Sequence, residues 1–256
     1  MEEFKQTNFG FQEVSSSEKT RRVTDVFHRV ARRYDLMNDV MSTGIHRLWK
    51  DQFIRMMNPV GEIHLLDVAG GTGDIAFRFL EACPQGSVTI CDINPGMIEQ
   101  GRDRALDRGI TKRLKWVCGD ASALPFEDAS FDFYSISFGL RNVTFRIKAL
   151  EEAFRVLKPG GQFFCLEFSK VQLPGLKELY HFYSFSLIPR LGAWIAQDRD
   201  AYQYLVESIS QFPDQAQLEK EVRAAGFDNV KFHNLSAGIA AIHQGIKRAG
   251  ARASDK

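Results

Sequence analysis

The sequence predicts an α/β fold with a mostly parallel, seven-stranded sheet and helices on both of its faces. The first observation is a glycine-rich turn, LLDVAGGTGD at residues 65–74, which follows an apolar run and opens a helical pattern. The second is the alternation of strand-like and helix-like segments between residues 63 and 168, which is typical of a parallel sheet. The expected strands are 63–69, 87–91, 114–118, 131–137 and 162–168, and the expected helices are 74–83, 95–108 and 144–157.

Composition limits the classes of protein that the chain can belong to. It has 256 residues with 33 basic and 32 acidic side chains, so we expect one large domain and no nucleic-acid partner. The four cysteines lie far apart without a C-x-x-C pair, which indicates buried, reduced thiols. No ligand pair such as H-x-x-H occurs, so we expect no metal. No apolar run approaches the roughly 20 residues that span a bilayer, so we expect a soluble or peripheral protein.

The predicted domain covers residues 20–250. Residues 1–19 are polar without periodicity, so we expect a flexible arm there and a short tail at 251–256. An N-terminal helical cap is predicted over 20–60. Its first helix, 20–37, is amphipathic with an arginine-rich face. This pattern fits an ordinary solvated helix, or a cap over a ligand cleft whose arginines also meet anionic lipid headgroups.

After residue 168 the alternation stops, and a long aromatic-rich interval follows. It is longer than a crossover requires, so we interpret 172–213 as a helical insertion that binds substrate, or as a helical hairpin that buries its own aromatic side chains. A helix is expected at 215–225. GFDNVKFHNL and GIAAIHQGIK then alternate around a polar turn and predict two closing strands. The tetrapeptide KPGG at 158–161 predicts the turn into the fifth strand.

The glycine turn predicts a site for an adenosine-bearing cofactor. Gly71 and Gly73 let the backbone turn tightly and approach a ligand. Asp92 ends the second strand 19 residues after Gly73, where its carboxylate is suited to the ribose hydroxyls. A dinucleotide would rest its pyrophosphate near Asp67 and Asp74, and these carboxylates would repel it. The same acids suit S-adenosylmethionine, which carries a sulfonium cation and an ammonium group, so we favour it over NAD(P).

Further polar residues follow the other strands, where ligands bind in open α/β sheets. Thr72 offers a hydroxyl in the glycine turn, Asp120 is placed to accept the adenine amino hydrogens, and the small Ala121 leaves room for the ring. Arg141 and Asn142 follow the fourth strand, where a transferable methyl group would emerge. An arginine side chain stays protonated and is a poor base, but as a fixed cation Arg141 would stabilise a phenolate or orient a water.

The sequence resembles the ubiquinone/menaquinone biosynthesis C-methyltransferases, the UbiE-like group of class I methyltransferases with a Rossmann-like fold. The resemblance extends from about residue 26 to residue 247, and its C-terminal third is closer to the ubiquinone branch. It rests on these motifs: YDLMNDVMSTGIHRLWK, LLDVAGGTGD, CDIN, DASALPF, SFGLRNV, RVLKPGG, LEFSK, YSFSLIPRLG, YQYLVESI and GIAAIHQG. Ala69 replaces the first glycine of the broader class I loop, as is common in this family.

The resemblance implies methylation of a ring carbon of a polyprenylated benzoquinol, 2-methoxy-6-polyprenyl-1,4-benzoquinol, and of demethylmenaquinol. It adds Ser137 to the cofactor contacts, which then comprise Asp67, Gly71, Thr72, Gly73, Asp92, Asp120, Ala121 and Ser137. It also adds Tyr34 to the catalytic pair Arg141 and Asn142.

For the substrate, we expect contacts from Tyr183 and Phe185 in the insertion. His46 is either a substrate contact or a structural histidine.

The implied associations are a quinol substrate, a membrane surface, a homodimer and a quinone-biosynthesis complex. The implied location is the cytoplasmic side of a bacterial inner membrane, or the matrix face of the mitochondrial inner membrane. Two other functions remain open at this point. One is an NAD(P)-dependent oxidoreductase, and the other is a scaffold subunit of a quinone-synthesis complex.

Overall fold

The computed structural model describes residues 6–30, 44–172, 175 and 199–249. The strands are β1 (Gln6–Phe9), β2 (Gln12–Ser15), β3 (His64–Val68), β4 (Ser87–Asp92), β5 (Leu114–Cys118), β6 (Phe131–Ser137), β7 (Leu157–Phe168), β8 (Asp228–Leu235) and β9 (Ala240–Ile246). The helices are α1 (Ser16–Val30), α2 (His46–Met57), α3 (Asp74–Ala82), α4 (Pro95–Asp107), α5 (Arg146–Val156), α6 (Arg199–Gln211) and α7 (Gln215–Ala224). A 3₁₀ turn (Leu140–Asn142) follows β6.

Seven strands form one sheet in the order β5-β4-β3-β6-β7-β9-β8. The pairs from β5 to β7 are parallel, whereas β9 is antiparallel to both β7 and β8. The strand order reverses between β3 and β6. In open α/β sheets such a reversal opens a crevice at the carboxyl ends of the strands, so the topology places a ligand site there. The predicted mostly parallel, seven-stranded sheet is confirmed.

Helices cover both faces because the central strands are apolar on both sides. Leu65 belongs to a core cluster that includes Phe53 of α2 and Leu205 of α6. Its neighbour Leu66 belongs to a second cluster, on the other face, that includes Leu150 of α5. Consecutive strand residues point to opposite faces, so an uninterrupted apolar run serves two cores at once.

The N-terminal arm differs from the prediction. Residues 6–15, expected to be irregular, form the antiparallel hairpin of β1 and β2, and α1 begins at Ser16 rather than at residue 20. Phe9 stacks on Tyr204 of α6 with ring centroids 4.1 Å apart, and the Phe11 N–H donates to Glu207. These partners lie almost 200 residues away in the chain, so local periodicity could not indicate the hairpin.

Two further details differ from the sequence-based expectations. Strand β7 begins at Leu157 rather than near residue 162, and its register opposite β6 jumps from Leu157 to Gln162, so the KPGG tetrapeptide loops out of the strand. The four cysteines are free, but only Cys83, Cys91 and Cys165 are buried. Cys118 is exposed because it ends β5, the edge strand of the sheet.

Within the described ranges, we find no helix that combines the length and apolar character needed to cross a bilayer.

Candidate active site

A cleft opens at the carboxyl ends of β3, β4 and β6, where the strand order reverses. Its empty volume is about 1110 Å³, including the part that is open to solvent. The lining comprises Thr20, Val23, Thr24, Lys50, Asp67, Val68, Ala69, Gly70, Gly71, Thr72, Asp74, Ile75, Asp92, Ile93, Asn94, Met97, Gly119, Asp120, Ala121, Ser137, Phe138, Gly139, Asn142, Val143 and Thr144.

The glycine turn between β3 and α3 forms the floor of the cleft. Gly71 and Gly73 have φ angles of +54° and +87°, which glycine adopts without steric cost. Gly71 lines the cleft, as predicted for a cofactor contact. Gly73 does not line it. It precedes α3, and an added Cβ there would lie 3.0 Å from atoms of Phe77 and Trp116. The role of Gly73 is therefore to make the turn and to allow close packing beneath it.

Asp92 holds this turn in place from the end of β4. Its Oδ2 accepts a hydrogen bond from the Gly71 N–H and its Oδ1 accepts one from the Asn94 N–H, both at 2.8 Å. Burial raises the pKa of Asp92 above its usual value, although the two backbone hydrogen bonds oppose the shift. Because a carboxylate oxygen accepts two hydrogen bonds, both oxygens retain capacity for the ribose hydroxyls.

Asp67 is a second acid of the cleft whose ionisation is perturbed by burial. Its side chain is fully buried, and burial raises its pKa to about 7, with Asp92 and Asp74 contributing in the same direction. Ser135 donates to Asp67 Oδ1 at 2.6 Å, whereas Oδ2 has no hydrogen-bond partner among the described residues. A buried, unpaired acceptor in a cleft fits a donor group on a ligand, and the ammonium group of S-adenosylmethionine is such a donor.

Asp74 is not the free negative charge that its place in the sequence suggests. Its Oδ2 accepts a hydrogen bond from Lys50 Nζ at 2.7 Å, and its Oδ1 pairs with Arg78 at 3.3 Å. Burial alone would raise its pKa, but Lys50, Arg78 and Arg104 outweigh burial and lower it. Arg104 also donates to the hydroxyl of Thr72, which lines the cleft beside Asp74. Repulsion of pyrophosphate therefore falls to Asp92, Asp120 and the ionised form of Asp67.

The remaining predicted cofactor residues also line the cleft. Asp120 Oδ1 accepts from the N–H and the hydroxyl of Ser122, both at 2.8 Å, which fixes the loop after β5. Ala121 lines the cleft beside it. Ser137 ends β6, and its buried hydroxyl has no hydrogen-bond partner within the described ranges. Together with Asp67 Oδ2, the Ser137 hydroxyl gives the cleft two buried polar atoms that are available to a ligand.

The predicted catalytic pair is divided by the structure. Asn142 lines the cleft, and its Oδ1 accepts a hydrogen bond from Tyr204 at 3.1 Å. Arg141 is not among the lining residues. Its side chain is completely buried and forms an ion pair with Glu167 at 2.6 Å, while Nε and Nη2 have no hydrogen-bond partner in the part of the chain that the structure describes. Arg141 is therefore a fixed buried cation, and its position does not suit proton transfer.

Helix α1 closes one side of the cleft. Thr20, Val23 and Thr24 line it, the Thr20 and Thr144 hydroxyls lie 3.0 Å apart, and the Asn94 amide donates to the Thr24 carbonyl at 3.4 Å. Of the two interpretations of this helix, the structure supports a cap over the cleft.

One more predicted residue, His46, does not line the cleft, and three others fall outside the part of the chain that the structure describes. His46 is buried at the first position of α2 and is absent from the cleft lining, which favours its structural role. Tyr34, Tyr183 and Phe185 lie outside the described residues. In the described part of the chain, no group of three or more His, Cys, Asp or Glu side chains is arranged to hold a metal ion.

Sequence reasoning missed Lys50, Glu167 and Tyr204 as parts of this region. Two of them carry a usable signal. Lys50 lies on the buried stripe of α2, and Glu167 interrupts the apolar run of β7, so both are charged residues at core positions. Tyr204 is one of many aromatic residues in the interval before α7, and no local pattern distinguishes it from the others.

The reversed strand order, the glycine turn and the acid-lined cleft define a class I S-adenosylmethionine-dependent methyltransferase. Solved structures share the fold. The [4+2]-cyclase SpnF superposes with a TM-score of 0.68 at 19% identity and covers 90% of this chain and 97% of its own. An S-adenosylmethionine-dependent methyltransferase from Thermotoga maritima superposes with a TM-score of 0.60 at 21% identity and covers 88% of this chain and 100% of its own.

Sequence comparison identifies the family. The model of the ubiE/COQ5 methyltransferase family matches residues 14–247, and the chain belongs to this family. It is 55% identical to the ubiquinone/menaquinone biosynthesis C-methyltransferase UbiE of Roseobacter denitrificans, over 95% of this chain and 97% of the relative. It is 50% identical to the mitochondrial 2-methoxy-6-polyprenyl-1,4-benzoquinol methylase of Danio rerio, over 96% of this chain and 85% of the relative. The predicted family, enzyme class and cofactor are confirmed, and membership decides for S-adenosylmethionine over NAD(P).

Proposed function

We propose that this chain transfers the methyl group of S-adenosylmethionine to a ring carbon of a polyprenylated benzoquinol. The substrate is 2-methoxy-6-polyprenyl-1,4-benzoquinol, and demethylmenaquinol is a second substrate of the same type. The observation that carries the proposal is near-full-length similarity, at 50–55% identity, to relatives with these activities in their names. The acid-lined cleft supports it, because its chemistry suits a cationic methyl donor.

Each part of the cofactor has candidate partners among the described residues. Asp92 would hold the ribose, Asp120 the adenine amino group, and Asp67 with Ser137 the polar atoms of the methionine moiety. Four carboxyl groups and one ammonium group are found among the described lining residues, so the cleft carries an excess of negative charge. S-adenosylmethionine supplies a methyl group bound to a positively charged sulfur.

The reacting carbon would lie beyond β6, beside Phe138 and Asn142. Methyl transfer would replace the S–CH₃ bond by a C–C bond to the ring, leave S-adenosylhomocysteine, and release the proton of that ring carbon to solvent. A phenolic oxygen makes the neighbouring ring carbon nucleophilic, and more so as a phenolate. Arg141 lies directly behind this wall and is paired with Glu167, so it would act through the position of the wall rather than as a net positive charge beside the phenolate. Alignment of the ring with the methyl group and exclusion of water supply the rest of the rate enhancement.

The prenyl tail requires an apolar path outside the cofactor cleft. We assign it to residues 174–204, including Tyr183 and Phe185, together with residues 20–37, where Tyr34 would contact the ring. A tail of this kind resides in a bilayer, so peripheral association with the cytoplasmic side of a bacterial membrane, or the matrix face of a mitochondrial one, belongs to the proposal. A homodimer also belongs to the proposal. So does a quinone-biosynthesis complex, which would pass such a substrate between enzymes.

The test is quinol-dependent formation of S-adenosylhomocysteine by the purified protein, with a short-tailed benzoquinol kept reduced. We expect turnover with the wild type and its loss in Asp92→Asn. Asp132→Asn is the matched control. Asp132 accepts hydrogen bonds from the His64 N–H and from Lys158, and it does not line the cleft. Absence of quinol-dependent turnover in a wild-type protein that binds S-adenosylhomocysteine would refute the proposed substrate.

A further inference from the structure

Glu167 is a buried carboxylate at the end of β7 that no cofactor contact explains. Its Oε1 accepts hydrogen bonds from Arg141 Nη1 at 2.6 Å and from the Phe168 N–H at 2.9 Å. Its Oε2 accepts one from the backbone N–H of Arg141 at 3.3 Å. The side chains of Glu167 and Arg141 are 1% and 0% exposed. Glu167 therefore fixes both the backbone and the guanidinium group of Arg141.

Arg141 transmits this restraint to the wall of the cleft. The same Nη1 that binds Glu167 also donates to the carbonyl oxygen of Phe138 at 2.6 Å. Phe138 lines the cleft and has a φ angle of +53°, a left-handed conformation that a bulky residue rarely adopts. Such strained residues persist only where their surroundings hold them, and they cluster at functional sites. The guanidinium group of Arg141 is one of the groups that hold Phe138 in this conformation.

The restraint extends to Asn142. The 3₁₀ turn after β6 contains both Arg141 and Asn142, and the Asn142 N–H donates to the Gly139 carbonyl at 3.0 Å. We propose that Glu167 is a positioning residue for methyl transfer, which acts through Arg141 to hold Phe138 and Asn142 against the reacting carbon. This inference rests on the proposed function, since it names what orients the substrate side of the same site.

Stability alone does not account for this pair. A buried ion pair loses the hydration of both charges, and its replacement by apolar side chains of similar volume is often neutral or stabilising. What apolar side chains would not reproduce is the hydrogen bond to the Phe138 carbonyl. We therefore infer that the Glu167–Arg141 pair fixes the conformation of the cleft wall at Phe138.

The first test is Glu167→Gln, which removes the charge and keeps the shape. We expect kcat to fall at least about tenfold, because small displacements of catalytic geometry have large effects on rate. The Kd for S-adenosylhomocysteine should stay within about threefold, because Asp67 and Asp92 hold the cofactor from other strands. Glu221→Gln is the matched control. Glu221 forms an ion pair with Arg146 at 2.7 Å, and neither residue lines the cleft. The kcat of the Glu221→Gln variant should therefore match that of the wild type.

The second test separates positioning from folding. Glu167→Met combined with Arg141→Met removes both buried charges, so we expect a folded protein with a Tm near that of the wild type and a kcat that stays low. Recovery of wild-type kcat in this double variant, or an unchanged kcat in Glu167→Gln, would overturn the positioning role.

The rate of hydrogen exchange at the Arg141 and Asn142 amides measures the same restraint in the absence of substrate. We expect faster exchange in Glu167→Gln than in the wild type or Glu221→Gln. If the wild type fails to methylate the quinol, the proposed function fails, while faster exchange still supports the restraint. Unchanged exchange would overturn the restraint whatever the substrate.

Discussion

Replacement of Asp67 by asparagine tests the electrostatics of the cleft. Burial raises the pKa of Asp67 from 3.8 to about 7, which corresponds to roughly 4 kcal/mol in favour of the neutral carboxyl group. Because the pKa is raised in the folded protein, stability is lost as the pH rises from about 4 to about 7 and then stays level. Without cofactor, Asp67→Asn should therefore be more stable than the wild type at pH 8, by up to roughly 4 kcal/mol, and should approach it near pH 4.

Cofactor binding should show the opposite dependence. If only the carboxylate binds the ammonium group, the Kd for S-adenosylmethionine rises roughly fivefold from pH 7 to pH 6 and roughly tenfold more to pH 5. The cofactor amine only gains protons as the pH falls, so a loss of affinity at lower pH reports the protein. Isothermal titration calorimetry measures it in the wild type and in Asp67→Asn, whose Kd should be higher at pH 7 and should vary less with pH.

Asp132→Asn serves as the control, because it is also an aspartate in the sheet but does not line the cleft. It should keep the wild-type pH dependence of cofactor binding. Equal pH dependence of the Kd in the wild type and Asp67→Asn between pH 5 and 7 would refute the assignment of Asp67 to the ammonium group.

Three further predictions concern the walls of the site. Gly139→Ala should destabilise the protein by about 1–3 kcal/mol in denaturant unfolding, because the added Cβ would lie 2.5 Å from the Ala69 Cβ. Ala69→Gly in the same chain should restore most of the loss, and no recovery would contradict the steric origin of the effect. Tyr204→Phe should lower kcat about 2- to 10-fold with little change in Tm, since it removes one hydrogen bond to the cleft and keeps the ring. An unchanged kcat would show that this hydrogen bond is dispensable. Alanine at Tyr183 and Phe185 should reduce turnover of long-tailed quinols more than of short-tailed ones, and equal losses would count against a tail-binding role.

The parts of the fold that the sequence predicts are those with strong local patterns. Apolar strands bounded by turn residues, such as 63–69 and 87–91, agree with β3 and β4 to within two residues. The glycine turn is predictable because closely spaced glycines after an apolar strand favour a tight turn. Asp92 is predictable because an acid that ends a parallel strand lies at the ligand-binding edge of the sheet. Family resemblance supplies what patterns do not, above all the class of substrate.

The features that the sequence does not predict depend on contacts between distant segments. The hairpin of β1 and β2 packs on α6, and no periodicity within residues 6–15 indicates that partner. The neutralisation of Asp74 depends on Lys50, which reaches it from α2. The burial of Arg141 depends on Glu167 in the neighbouring strand β7. A sequence motif names such residues, but only the fold determines which charges are paired and which are free to act on a ligand.

The central claim is that the acid-lined cleft delivers a methyl group from S-adenosylmethionine to a ring carbon of a benzoquinol. Incubation of the purified protein with S-adenosylmethionine labelled with CD₃ and a reduced 2-methoxy-6-polyprenyl-1,4-benzoquinol tests it directly, with the product analysed by mass spectrometry and NMR. We expect one CD₃ group per product, bonded to the ring carbon that loses its proton. A label on a phenolic oxygen, or no transfer by a protein that binds the cofactor, would contradict the account.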